Sequence, residues 1–219
     1  MRRMTILLAL IALAAVSVAP AAAGSPPQEQ KTDVLAFADF GDMGQAKLLR
    51  SRGGMTAIVE ARDIPAGVYT MWWVVWNTPE GCAMPHQCGE GDLFDPEGDT
   101  GLAIGYAAGA VVGNNGRLSI GAHLREGKTL HGFPYPEFGA LGVSLTETSL
   151  VDSDHAEIHL VLRSHQGRIP GMVGTQLRTF NGGCVYAPPI SGSAPAYGEP
   201  GPNTCSDQFF AVFPSPDTP

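Results

Sequence analysis

Short runs of alternating and continuous apolar residues, broken by glycine and proline, dominate this chain. Met55–Asp63 alternates with period two: Ala57, Val59 and Ala61 fall on one face, with Thr56, Glu60 and Arg62 mostly on the other. That is the pattern of a half-buried strand. After a turn at Ile64-Pro65-Ala66-Gly67, Val68–Asn77 is apolar on both faces and rich in aromatic and β-branched residues, as a strand covered on both sides would be. Its three tryptophans suit a core strand better than a sugar platform, because exposing such a run invites aggregation. Val34–Phe40 predicts a first strand and Ala103–Val112 a small-residue strand. Asn114-Asn115-Gly116 predicts a hairpin turn into Arg117–Leu124. Asp154–Ser164 is the best-patterned strand: Ala156, Ile158, Leu160 and Leu162 face one way, and His155, Glu157, His159, Arg163 and His165 the other. Leu141–Leu145 reads as a short strand, Met172–Phe180 as a short helix or irregular segment, and Asp207–Phe213 as the closing strand. Seven or eight short strands separated by turn signals predict an all-β fold, an antiparallel β-sandwich with long loops.

The beginning of the chain follows another pattern. Arg2 and Arg3 precede an apolar stretch from Met4 to Val18, and Pro20 leads into Ala21-Ala22-Ala23. A basic start, a short apolar run and a small-residue exit make residues 1–23 a secretory signal peptide. The expected organisation is a polar, disordered spacer at 24–32, one domain at 33–214 and a loose tail at 215–219. The mature chain should be secreted or periplasmic, with no transmembrane segment. Removing residues 1–23 takes Arg2 and Arg3 away and moves the net charge from −8 to −10. So acidic a chain argues against nucleic acid and against anionic membranes.

Cys82, Cys88, Cys184 and Cys205 all fall in the exported part. An even count in an oxidising compartment reads as two disulfides. Of the three pairings, sequence proximity favours Cys82–Cys88 and Cys184–Cys205. No C-x2-C pair supports a thiolate metal site.

Three places carry candidate chemistry. The polar row of the 154–165 strand offers His155, Glu157, His159, Arg163 and His165. His155 and His159 stand roughly 13 Å apart on a straight strand, so a metal there needs a donor from another strand, for which His123 is the natural candidate. The acidic loop supplies Asp92, Asp95, Glu97 and Asp99 as calcium-type oxygens, without EF-hand spacing. Met84 and His86, between Cys82 and Cys88, are copper-type donors, two in number. Elbow, P-loop, H-E-x-x-H and dinucleotide motifs are absent from the sequence.

Gly67–Asn77, Ala156–His165, and Gly182-Gly183-Cys184 with Cys205-Ser206-Asp207 resemble a group of uncharacterised exported bacterial proteins. The resemblance covers most of the mature chain and implies no activity; it supports Glu157, His159, Arg163 and His165 as one patch. The first expectation is a non-enzymatic module that binds a ligand or surface component. The alternative is a metal-dependent protein or enzyme using the histidine-rich face with His123, holding a transition metal, with calcium a separate possibility at the acidic loop.

Overall fold

The computed structural model describes residues 27–93, 99–131, 148–185 and 198–216. The expected signal peptide, Asp95, Glu97 and the expected 141–145 strand lie outside the described residues. Among the described residues ten strands run in chain order: β1 (Gln28–Ala36), β2 (Asp42–Ser51), β3 (Gly54–Ala61), β4 (Gly67–Trp76), β5 (Leu102–Val112), β6 (Leu118–Arg125), β7 (Thr129–Leu130), β8 (Thr148–Ser149), β9 (Glu157–Ser164) and β10 (Ser206–Phe213). A short α-helix, α1 (Val173–Gln176), interrupts the loop before Cys184.

Eight strands form one antiparallel sheet in the order β5-β4-β9-β10-β1-β2-β3-β6, and β7 pairs with β8 separately. The two edge strands, β5 and β6, pack beside each other, so the sheet rolls toward a barrel. The all-β, antiparallel class with long loops and two disulfides is as expected; the two layers of a sandwich are here opposite walls of one rolled sheet. Asn114-Asn115-Gly116 does turn the chain, with Gly116 at φ 63° and its N–H donating to Gly113 O. Yet β5 ladders with β4, and β6 with β3. The turn therefore joins two sheet edges instead of closing a two-stranded hairpin.

A single apolar core fills the interior. Val34, Leu48, Val59, Met71, Trp73, Ile120, Leu160 and Phe213 are all part of it. All ten residues of β4 are buried, as its two-sided apolar run predicts. Tyr69, Met71, Trp73 and Val75 point inward. Val74 and Trp76 point outward into a second cluster with Cys82, Cys88 and Ile104. Outward Trp72 packs edge-on against Tyr106 and Phe180. The tryptophans are core residues. The small side chains of β5 have a local reason at Gly109, where a Cβ would run into the Leu177 carbonyl just after α1.

Two sequence boundaries shift, and one strand is unexpected. β1 starts at Gln28, so residues 28–32 of the expected spacer are strand, paired with β2. Glu29 carries that pairing outside, within 3.1 Å of Lys31 and 3.3 Å of Lys47. Ser215, placed in the tail, is buried. β2 was not anticipated, because Gly44, Gln45, Lys47 and Arg50 blur its alternation.

Candidate functional site

The outward row of β9 has the phase its sequence predicts: Ile158, Leu160 and Leu162 are core, while Glu157, His159, Val161, Arg163 and His165 face away. The row is nevertheless not a solvated face. Glu157, Arg163 and His165 are buried. Alternation fixes which side of a sheet a residue takes, but it is silent on what a loop later lays over that side. Here two disulfide loops cover it.

The first loop is closed by Cys82–Cys88. It reaches β9 through the Cys88 N–H, which donates to Glu157 Oε1 at 3.0 Å. His159 Nε2 lies 2.8 Å from the same oxygen, and its ring packs edge-on against Trp76. Nearby, His155 Nε2 approaches Glu80 Oε2 at 3.2 Å at the rim. Glu157 Oε2, Trp76 Nε1 and His86 Nδ1 are buried without a hydrogen-bond partner among the described residues. Asp92 braces this loop by accepting from the Ala83 and Gly89 N–H groups, each at 2.7 Å. Both of its oxygens are thus engaged, whereas Asp99 is exposed. Asp92→Ala should free those two amides, cost about 1–2 kcal/mol, and raise hydrogen exchange at Ala83 and Gly89. Unchanged protection there would show that the disulfide alone holds the loop.

The second loop folds over the other end of the row. Arg163 donates to Phe180 O (2.8 Å), Asp207 Oδ1 (2.9 Å) and Asn181 Oδ1 (2.9 Å), and its guanidinium sits 4.0 Å from the Phe180 ring centroid. His165 is fully buried. Its Nδ1 lies 2.8 Å from Gly182 O, and its Nε2 3.1 Å from Thr70 Oγ1, which also accepts from Trp72 Nε1. One assignment satisfies every atom: Nδ1 carries the proton to the carbonyl, and the Thr70 hydroxyl donates to Nε2. Burial holds the imidazole pKa down to about 4, assisted by Arg163 and opposed by the Gly182 carbonyl. Cys184 and Cys205 are joined, and each Sγ lies 3.8 Å from His165 Nδ1.

The structure does not bring His123 to this row. It sits on β6, hydrogen-bonded to Thr56 of β3 at 2.9 Å, and β5 and β4 separate β6 from β9. Three strand spacings amount to about 14 Å. Among the described residues, the group of three or more histidine, cysteine or acidic side chains with ligand atoms within 4.8 Å of one another is His165, Cys184 and Cys205. Joining His165 to the cysteines needed long-range pairing that spacing alone does not reveal.

A second feature went unread in the sequence. The β1–β2 turn exposes Phe37 and Phe40, at 45% and 68% of their surface. Both rings gather on Phe210, which faces outward from β10, with centroids at 4.7 and 5.9 Å. Phe40 takes φ 57°, a left-handed conformation that a bulky side chain rarely adopts. The turn is held by Phe40 N–H donating to Ala36 O and Gly41 N–H donating to Asp39 Oδ1. The available signal was local: Phe37 and Phe40 on either side of Ala38-Asp39, just ahead of Gly41.

Fold and sites together define a disulfide-braced antiparallel β-protein with a filled interior, a histidine–disulfide cluster and an exposed aromatic face; among the described residues no helix is long and apolar enough to cross a membrane. No protein-family model, no curated protein and no solved structure matches the chain.

Proposed function

We propose that this chain is an exported, non-enzymatic binding module that engages a neutral polysaccharide through Phe37, Phe40 and Phe210. The observation that carries the reading is the cluster of two exposed rings on a half-buried third, one of the exposed pair held at a costly backbone conformation. Strain of this kind, about 1–3 kcal/mol, persists where something other than stability maintains it. Flat aromatic faces suit the apolar C–H faces of sugar rings, and the exposed carboxylates of Asp33 and Asp39 are placed on the same strand and turn to meet hydroxyls. A net charge of −8 over the full chain repels polyanions, which favours an uncharged ligand. The interior packed with apolar side chains directs binding to the outside.

The test is retention on insoluble cellulose and chitin. Wild-type protein should be retained by at least one of them. Phe40→Gly should weaken retention about tenfold, the equivalent of losing one stacked ring worth about 1.4 kcal/mol. Its stability should stay within about 1 kcal/mol of wild type, because relief of the left-handed strain offsets the lost aromatic contact. Failure of the wild type to bind either polymer, or equal retention of the variant, would overturn the reading. Self-association that Phe40→Gly abolishes would instead assign the face to a protein partner.

A further inference from the structure

We propose that His165, Cys184 and Cys205 form a latent zinc site, opened when their disulfide is reduced. The inference is independent of the aromatic face. It rests on a geometry nearly that of a metal centre already. In a tetrahedral site with bonds near 2.3 Å to sulfur and 2.0–2.1 Å to nitrogen, each N···S separation is about 3.6 Å. His165 Nδ1 is 3.8 Å from both sulfurs. Of the three ligand-atom separations, only that between the two sulfurs, now bonded to each other, has to change much, to about 3.8 Å.

The surroundings complete the site. Cys184 and His165 are buried, and Cys205 is half-buried, which leaves an approach for the ion. Binding requires Nδ1 to give up its bond to Gly182 O and the ring proton to move to Nε2. There Thr70 Oγ1, 3.1 Å away, can accept it. A metal-bound histidine ordinarily donates its other N–H in just this way, which fixes the ring. The Cys82–Cys88 pair has no such partner: among the described residues no histidine ring nitrogen lies within 4.8 Å of both its sulfurs.

The chemistry balances in two steps. A dithiol reductant attacks the Cys184–Cys205 bond through a mixed disulfide; it leaves as a cyclic disulfide, and both cysteines become thiols. Zinc then takes the two thiolates and the imidazole, two protons pass to solvent, and water fills the fourth position. Oxidised protein offers only the imidazole and holds no zinc here.

The experiment uses the full mature chain, reduced with dithiothreitol, freed of reductant without air and given one equivalent of Zn2+. One zinc per chain is expected by elemental analysis. Cys184 and Cys205 should resist iodoacetamide while Cys82 and Cys88 react, as read by peptide mass spectrometry. Cobalt in place of zinc should give a thiolate charge-transfer band. Thr70→Val should weaken binding about 10- to 100-fold, and Thr70→Ser should restore it. No bound zinc, equal protection of all four cysteines, or a reduced chain that stays unfolded with zinc would overturn the proposal. His165→Gln should abolish the cobalt band; if that variant does not fold, the Thr70 pair carries the decision.

Discussion

Replacing Arg50 by methionine is expected to lower folding stability by about 4 kcal/mol, measured as a shift in the denaturant midpoint at unchanged slope. Arg50 occupies an inward position of β2, after Ala46 and Leu48, and is fully buried. Its Nε donates to Gln30 Oε1 at 2.7 Å, and its Nη1 donates to the Ser153 and Ala156 carbonyls at 2.6 and 2.9 Å. Nη2 reaches Pro214 O at 3.4 Å. One side chain thus ties β1, β2, the segment before β9 and the segment after β10 across one end of the rolled sheet. Burial pulls its pKa down to about 10, with the charges of Asp154 and Asp152 opposing, so it stays cationic at neutral pH. Methionine fills similar volume but donates nothing. The buried Ser153 and Ala156 carbonyls would lose their partner, at about 1–3 kcal/mol each before relaxation. Arg50→Lys should recover part of the loss, because one ammonium cannot reproduce the fork. A loss below about 1 kcal/mol for methionine would mean that the cap is dispensable.

Arg50 also marks where reading the sequence stops. Strands with a clear apolar pattern, β3, β4, β6 and β9, are visible from residue order because each buries one face against the same core. β2 is not visible, since its inward row ends on a charge and its outward row mixes glycine and lysine. Both disulfides follow from proximity and compartment. The rolling of the sheet does not, because β1–β10 and β3–β6 pairing joins residues far apart in sequence. The same limit applies to the sites. Glu157, Arg163 and His165 were legible as one row but not as a covered one. That His165 meets Cys184 and Cys205 depends on the loop after β9 turning back through Gly182-Gly183. The Phe37–Phe40–Phe210 cluster needs the β1–β10 pairing before it exists.

Folding stability should fall by about 3 kcal/mol between pH 6.5 and pH 4 on account of His165 alone. Its pKa is about 4 in the folded protein against 6.5 for an ordinary histidine. Above pH 6.5 neither state binds the proton, and the group contributes nothing that depends on pH. Between 6.5 and 4 the unfolded chain binds a proton that the folded chain excludes, so stability rises with pH at about 1.4 kcal/mol per unit across this window. Full burial supplies the main cause. The charged ring would sit without solvent beside the Arg163 guanidinium, and its Nε2 would become a second donor facing the Thr70 hydroxyl that now donates to it. The Gly182 carbonyl favours the charged form, but a single neutral acceptor does not repay that loss. Other groups titrate in the same range, so the measurement is a difference: stability from pH 7 to pH 4 for wild type minus that for His165→Asn, whose amide can still donate to Gly182 O. The difference should shrink steadily as pH falls, by about 3 kcal/mol in all. A difference that stays flat would mean that the imidazole finds a proton acceptor inside the fold, and would place an acidic or hydrated group beside Nε2 where Thr70 now stands.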